Sequence, residues 1–299
     1  MSTDLDRRLN AFSPELADAR LKGQVEAARF VEGEPARIIE PVVRLFPTAQ
    51  HGAIADTELL MGEAVRVFET TDEGWAWVQS DVDDYVGWCA ASALGPVAPE
   101  PTHRVTALWT HLYAAPHIKT PPAGFAPLNA HLSVEGTAAG SSGTAAGGAA
   151  ASAERFVKLA DGRFAISRHL APLDASPPTD FIGQARKFIG TPYMWAGRTA
   201  RGIDCSGLVQ MGLAACGVKA PRDSDMQERG LGTPVNESDP GAWQRGDLVF
   251  WKGHVGIVSE PGTLLHANAH HMATVEEPLG PAVERIAGAG LQVTSVKRL

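Results

Sequence analysis

The chain has 299 residues, 44% hydrophobic and 20% charged, with 26 Lys plus Arg against 34 Asp plus Glu. That length suits two or three domains, and the composition excludes disorder, coiled coil and collagen-like repeats for most of it. A formal net charge of −8 offers no electrostatic footprint for nucleic acid or an anionic membrane, so neither is expected as a partner.

No apolar run reaches the roughly 18 residues of a membrane span. The start, Met1-Ser2-Thr3-Asp4-Leu5-Asp6-Arg7-Arg8, has no apolar stretch behind its charges, so no secretory signal is read and a cytoplasmic location is expected. Residues 1–36 are expected to form a helical arm, because Leu16, Leu21, Val25 and Phe30 recur at helical spacing after Ser13-Pro14. Residues 37–97 then change to short alternating runs, Ala64-Val65-Arg66-Val67-Phe68, Trp75-Ala76-Trp77-Val78 and Tyr85-Val86-Gly87-Trp88-Cys89, parted by turn clusters. Short strands at this spacing indicate a small all-β barrel.

A weaker echo over residues 103–173 comprises Leu112-Tyr113, Arg155 to Leu159 and Phe164-Ala165-Ile166, and predicts a second, degenerate barrel. Its Gly/Ala/Ser-rich stretch, 136–153, has no side chain worth the cost of ordering and reads as a flexible loop. After Ser176-Pro177-Pro178, residues 177–299 open with a helix pattern over Phe181–Ile189, with Asp180 as its cap. A second helix runs from Asp204 to its stop at Gly217, and then the strand patterns DLVFW, HVGIVSE and TLLHANA follow, with Pro261-Gly262 between the last two. Helices first and a sheet afterwards make an α+β domain.

The three cysteines, Cys89, Cys205 and Cys216, form no Cys-x-x-Cys pair and read as free thiols of a reducing compartment. Cys205 opens the second helix, where unpaired amides and the helix dipole are expected to lower its pKa and favour the nucleophilic thiolate. Cysteine catalysis also requires an imidazole base and a group that orients it. If Glu260-Pro261-Gly262 is a three-residue turn, Ser259 faces Thr263, and His254 and His266 project from one face of the hairpin as diagonal neighbours. A two-residue turn would place them on opposite faces. His270-His271, adjacent in a strand, would point to opposite faces, and with no further ligand cluster no metal is expected. No cofactor is implied.

The stretches TPYMWAGRTARGIDCSGLVQ, APRDSDMQ, RGDLVFWKGHVGIV and LLHANA closely resemble the NlpC/p60 family of papain-like cysteine peptidases, which act on cell-wall peptides. LLMGEAVRVFETTDEGWAWVQ followed by YVGWCAASAL resembles the bacterial SH3-like (SH3b) module. The resemblance implies an α+β, papain-like catalytic domain preceded by two small all-β SH3-like barrels, with Cys205 as nucleophile, His254 as general base and His266 as orienting residue. The whole chain resembles the γ-D-glutamyl-L-diamino acid endopeptidases. That likeness implies cleavage between γ-D-Glu and diaminopimelate or Lys in small murein peptides with a free N-terminal L-Ala. By the same resemblance Tyr193, Trp195, Asp204, Ser206, Asp223 and Ser224 would contact substrate, with Glu63 and Tyr85 contributed by the first SH3-like module. The second such module lacks the Gly-Trp pairs of the first and is expected to be a spacer. Two other readings stand beside this one: a papain-like acyltransferase using a Cys205 thioester, and a wall-binding protein whose C-terminal domain is inert.

Overall fold

The runs at 64–90 become strands through burial of their apolar residues, the central one, Trp75–Ser80, being buried along its whole length. In this computed structural model, which describes residues 5–137, 155–236 and 239–299, Ala64–Thr70, Trp75–Ser80 and Val86–Ala90 form an antiparallel meander. Glu34–Ile38 and Leu94–Gly95 extend it to five strands, and Val42–Leu45 pairs with Thr57–Leu60 beside it. The chain divides at Ala175/Ser176 into two units.

The N-terminal helical arm is not found. Leu16–Asp18 is a strand paired in parallel with Arg29–Val31, and the helical element between the two is a single 3-10 turn, Ala19–Leu21. Leu16 is packed with Phe68, Trp77 and Val86, and the buried Asp18 accepts from the Arg20 amide and side chain. Burial against the five-stranded sheet and these local hydrogen bonds outweigh a helical spacing of only four apolar residues.

Further along the same unit, Pro122–Pro127, Trp109–Tyr113, Phe164–Ile166, Phe156–Leu159 and Val134–Thr137 form a second five-stranded sheet in that spatial order. His131–Leu132, His103–Val105 and Leu170–Pro172 form a three-stranded one. Val105 and Leu132 of the three-stranded sheet share one core with Leu112, Leu159 and Ala165 of the five-stranded one. Most of the Gly/Ala/Ser-rich stretch lies outside the described residues.

The C-terminal unit builds helices α1 (Phe181–Arg186), α2 (Cys205–Ala215), α3 (Ser224–Gly230) and α4 (Leu279–Gly288). Its strands are β1 (Thr233–Val235), β2 (Leu248–Trp251), β3 (His254–Glu260), β4 (Thr263–Asn268), β5 (Ala273–Pro278) and β6 (Val293–Arg298). They form an antiparallel sheet in the order β1-β6-β2-β3-β4-β5. Helix α1 ends before Ile189, and its last turn tightens through bonds such as Phe188 N–H to Ala185 O as the chain leaves to pair Gly190 and Thr191 with Thr274. Helix α2 packs on α1 and β3, and ten of its eleven residues are buried. A helix covered on nearly all sides has no polar face, which is why its sequence reads as almost continuously apolar.

The β3–β4 hairpin settles the face of the two histidines by an unexpected route. Its turn is the two-residue Pro261-Gly262, with Glu260 opposite Thr263, and Ser259 does not face Thr263. A bulge between Val258 and Glu260 absorbs one residue, so that Val258 faces Leu264 and Ile257 faces Leu265. The extra residue restores the pairing that a three-residue turn would have produced.

Candidate active site

Cys205 begins α2 because Asp204, in extended conformation, caps it: its carboxylate accepts from the Gly207 amide at 2.7 Å. A side chain at Gly207 would place Cβ 2.4 Å from the Gly197 carbonyl oxygen and 2.9 Å from Asp204 Oδ1, so the close approach at this turn requires glycine. The fully buried Arg222 grips the same cap, donating to Asp204 Oδ2 at 2.6 Å, to Asp204 Oδ1 at 3.0 Å and to Ser206 Oγ at 2.9 Å. Gln227 on α3 donates to the carbonyls of Ser206 and Pro221. The segment from Pro221 to Gln227 is thereby stitched to the start of α2.

The Cys205 thiol is not lowered as its helix position suggests. Burial is the largest influence and, with Asp204 adding to it, pushes the thiol up to about 12, against opposing contributions from the Val255 amide, Arg222 and the Ser206 amide. The capping carboxylate sits at the positive end of the helix and offsets the field that would have favoured a thiolate. Tyr193 faces the same pair: burial pushes its phenol up to about 12, with Cys205 and Asp204 adding to the rise. The backbone of Tyr193 is held by bridges to Ile203 and Met272.

On the sheet side, the Val255 amide that donates to the Cys205 sulfur is the residue after His254, at the start of β3. His254 Nε2 lies 2.9 Å from His266 Nδ1 on β4, so the structure brings the two rings together. Gly256 opposes this pair, since a Cβ there would meet Leu264 at 2.7 Å and the His266 Cβ at 3.4 Å. His266 Nε2 lies 2.7 Å from Glu277 Oε1 on β5, and both Glu277 oxygens accept from Arg285 of α4 at 2.6 Å. Sequence reasoning missed Glu277, Arg285 and Arg222. Glu277 was accessible in principle, lying on the strand that follows His266.

Burial drives His254 down to about 3, with His266 and Arg285 adding to the fall and Glu277 opposing it. Glu277 is lowered to about 2 because the bonds from Arg285 and His266 outweigh its burial. An unfolded chain binds these protons near the ordinary values of 6.5 and 4.5. Between those values and 3 or 2 the unfolded state therefore holds more protons, and stability rises with pH. The urea midpoint is expected to fall steadily as pH drops from about 6.5 toward 3; an unchanged midpoint across that window would contradict the buried neutral imidazole.

The remaining candidates are distributed. Ser206 is buried within the Arg222 network, Trp195 is 62% exposed, Asp223 immediately precedes α3 and Ser224 is its first residue. Glu63 and Tyr85 belong to the N-terminal unit and are buried there; Glu63 accepts from the Leu60 amide at 2.9 Å. His270 and His271 lie in the turn between β4 and β5, not in a strand, with their rings in edge contact at 4.7 Å. Among the described residues no group of three or more His, Cys, Asp or Glu is placed to hold a metal ion. None of the described helices is long and apolar enough to cross a membrane.

Comparison with known proteins places these features. Residues 190–286 match the NlpC/P60 family and residues 45–94 the bacterial dipeptidyl-peptidase SH3 domain. A gamma-D-glutamyl-L-lysine dipeptidyl-peptidase of Bacillus cereus is 33% identical over 144 residues, 45% of this chain and 41% of that protein. Dipeptidyl-peptidase 6 of Lysinibacillus sphaericus is 39% identical over 87 residues, 29% of this chain and 31% of that protein. The matched segments thus span less than half of either relative. The crystal structure of an NlpC/P60 family protein from Bacillus cereus shares the fold, with a TM-score of 0.68 and 21% identity over 89% of this chain and 99% of that one. Residues 190–286 are therefore an NlpC/P60 domain, and a bacterial dipeptidyl-peptidase SH3 domain precedes it in the chain at residues 45–94.

Proposed function

We propose that this protein is a cysteine endopeptidase that hydrolyses the bond between γ-D-Glu and a diamino acid, diaminopimelate or Lys, in murein peptides with a free N-terminal L-Ala. The observation that carries the reading is the hydrogen-bonded His254–His266 pair, with His254 on the strand whose Val255 amide meets the Cys205 sulfur. Relatives named for γ-D-glutamyl-L-lysine dipeptidyl-peptidase activity support the choice of bond. We place the activity in the recycling of wall peptides in the cytoplasm.

With the thiol raised and the imidazole lowered, the resting pair is neutral. The thiol proton passes to His254 as sulfur attacks the γ-glutamyl carbonyl, His254 then protonates the departing amine, and water activated by His254 cleaves the γ-acyl thioester. The start of α2 supplies amide donors for the oxyanion, the Cys205 amide among them. His266 orients the base. Tyr193, Trp195, Ser206, Asp223 and Ser224 line the substrate's path in this reading. Asp204 is already balanced by Arg222, so we assign the L-Ala ammonium to a separate pocket of carboxylate and aromatic side chains. We read residues 103–173 as a second SH3-like barrel that serves as a spacer.

Mass spectrometry of L-Ala-γ-D-Glu-diaminopimelate incubated with the protein is expected to show release of L-Ala-D-Glu, and no release from the same peptide acetylated at its N-terminus. Cleavage of both peptides would discard the ammonium pocket. Cleavage of neither by folded protein would favour acyl transfer to a second substrate.

A further inference from the structure

Beyond the pair that handles the proton, the hydrogen-bond chain continues through two residues that no motif singles out. Glu277 lies diagonally across from His266, because His266 faces Val275 in the β4–β5 ladder and Glu277 is two residues further along the same face. Its carboxylate is held in a fork by both terminal nitrogens of Arg285, a geometry that fixes direction as well as charge. An ionised carboxylate can only accept, so His266 carries its proton on Nε2 and its Nδ1 is the acceptor. The 2.9 Å contact then requires His254 to donate from Nε2. That leaves Nδ1 of His254 as the nitrogen free to take a proton.

We propose that Glu277, clamped by Arg285, is a positioning residue that sets the tautomer of both imidazoles and stabilises the positive charge His254 acquires in the reaction. The inference rests on the assignment of His254 as the base of Cys205. Glu277 favours the protonated form of each ring and Arg285 disfavours it, while His271 also opposes protonation of His266 from the adjoining turn. His271 Nδ1 stands 3.9 Å from the same carboxylate. The carboxylate therefore does for the second histidine what that histidine does for the first, and the salt link keeps it ionised.

The test reads the thiol directly, without a peptide substrate. Site-resolved alkylation of Cys205 by iodoacetamide at neutral pH reports how much thiolate–imidazolium pair is present. Glu277→Gln is expected to slow alkylation about tenfold, the effect of one pKa step, and Arg285→Gln to speed it several-fold, since the two charges act in opposite directions. Arg285→Lys, which retains the cation, is expected to stay within about twofold of wild type. Equal rates in all four proteins, or slowing of both charge-removing variants alike, would overturn the proposal. If Glu277→Gln does not fold, the contrast between Arg285→Gln and Arg285→Lys decides: a faster Gln variant beside an unchanged Lys variant supports it, and two equal rates reject it. Opposed shifts in a protein that cleaves no murein peptide would leave the relay standing and remove the substrate assignment alone.

Discussion

Cys205→Ala is expected to lower murein-peptide hydrolysis by about 10⁴-fold or more while leaving peptide binding intact. The physical ground is that a γ-glutamyl amide in water is unreactive, and only a covalent route through sulfur divides the step into two easier ones. The substitution removes one buried sulfur atom from a helix start held independently by Asp204, Arg222 and Gly207, so the fold survives and binding can be measured by calorimetry. Turnover within tenfold of wild type would remove the nucleophile assignment. Abolished binding together with abolished turnover would point instead to collapse of the helix start.

Arg222→Met is expected to destabilise the protein by about 3–5 kcal/mol, the cost of leaving a buried carboxylate without its partner. Its guanidinium side chain is 1% exposed, the Asp204 carboxylate beside it 8%, and Ser206 loses its donor in the same change. Pairing it with Asp204→Asn, which removes the stranded charge, is expected to recover part of the loss despite the weaker cap. Urea titrations of the two single variants and the double variant measure this, and strictly additive losses would show that the two side chains do not interact.

The parts of this arrangement that the sequence made legible are those with local signatures. The capping Asp before Cys205, the stop at Gly217 and the strands carrying His254 and His266 all appear at or within a residue of their expected places. The hairpin shows how a right inference can rest on a wrong turn. A two-residue connection was the case expected to separate the histidines, and the bulge that compensates for it has no signature in Ser259-Glu260. The N-terminal stretch misled because four residues at helical spacing say nothing of the sheet residues Phe68, Trp77 and Val86 that receive Leu16. Cys205 misled in chemistry: the helix start argues for a lowered thiol only if no carboxylate already sits there, and Asp204 does. Arg222 and Glu277 were hidden for a common reason, since their roles come from partners 18 and 11 residues away that only the folded chain brings near.

The proton-handling groups come from consecutive elements, β3, β4, β5 and α4, whereas the sulfur arrives on α2, with α3 and β1 to β2 intervening. Loop closure between those two pieces must be completed before either is of use. A molecule in which α2 has parted from the sheet would keep a complete His254–His266–Glu277–Arg285 chain and a capped cysteine, and yet have no hydrolytic power. On the proposed mechanism activity is thus a property of the docked state alone, and a partly opened chain is expected to be latent. Peptidase assay and Cys205 accessibility would serve, in refolding experiments, as late clocks for that docking rather than for the formation of either piece.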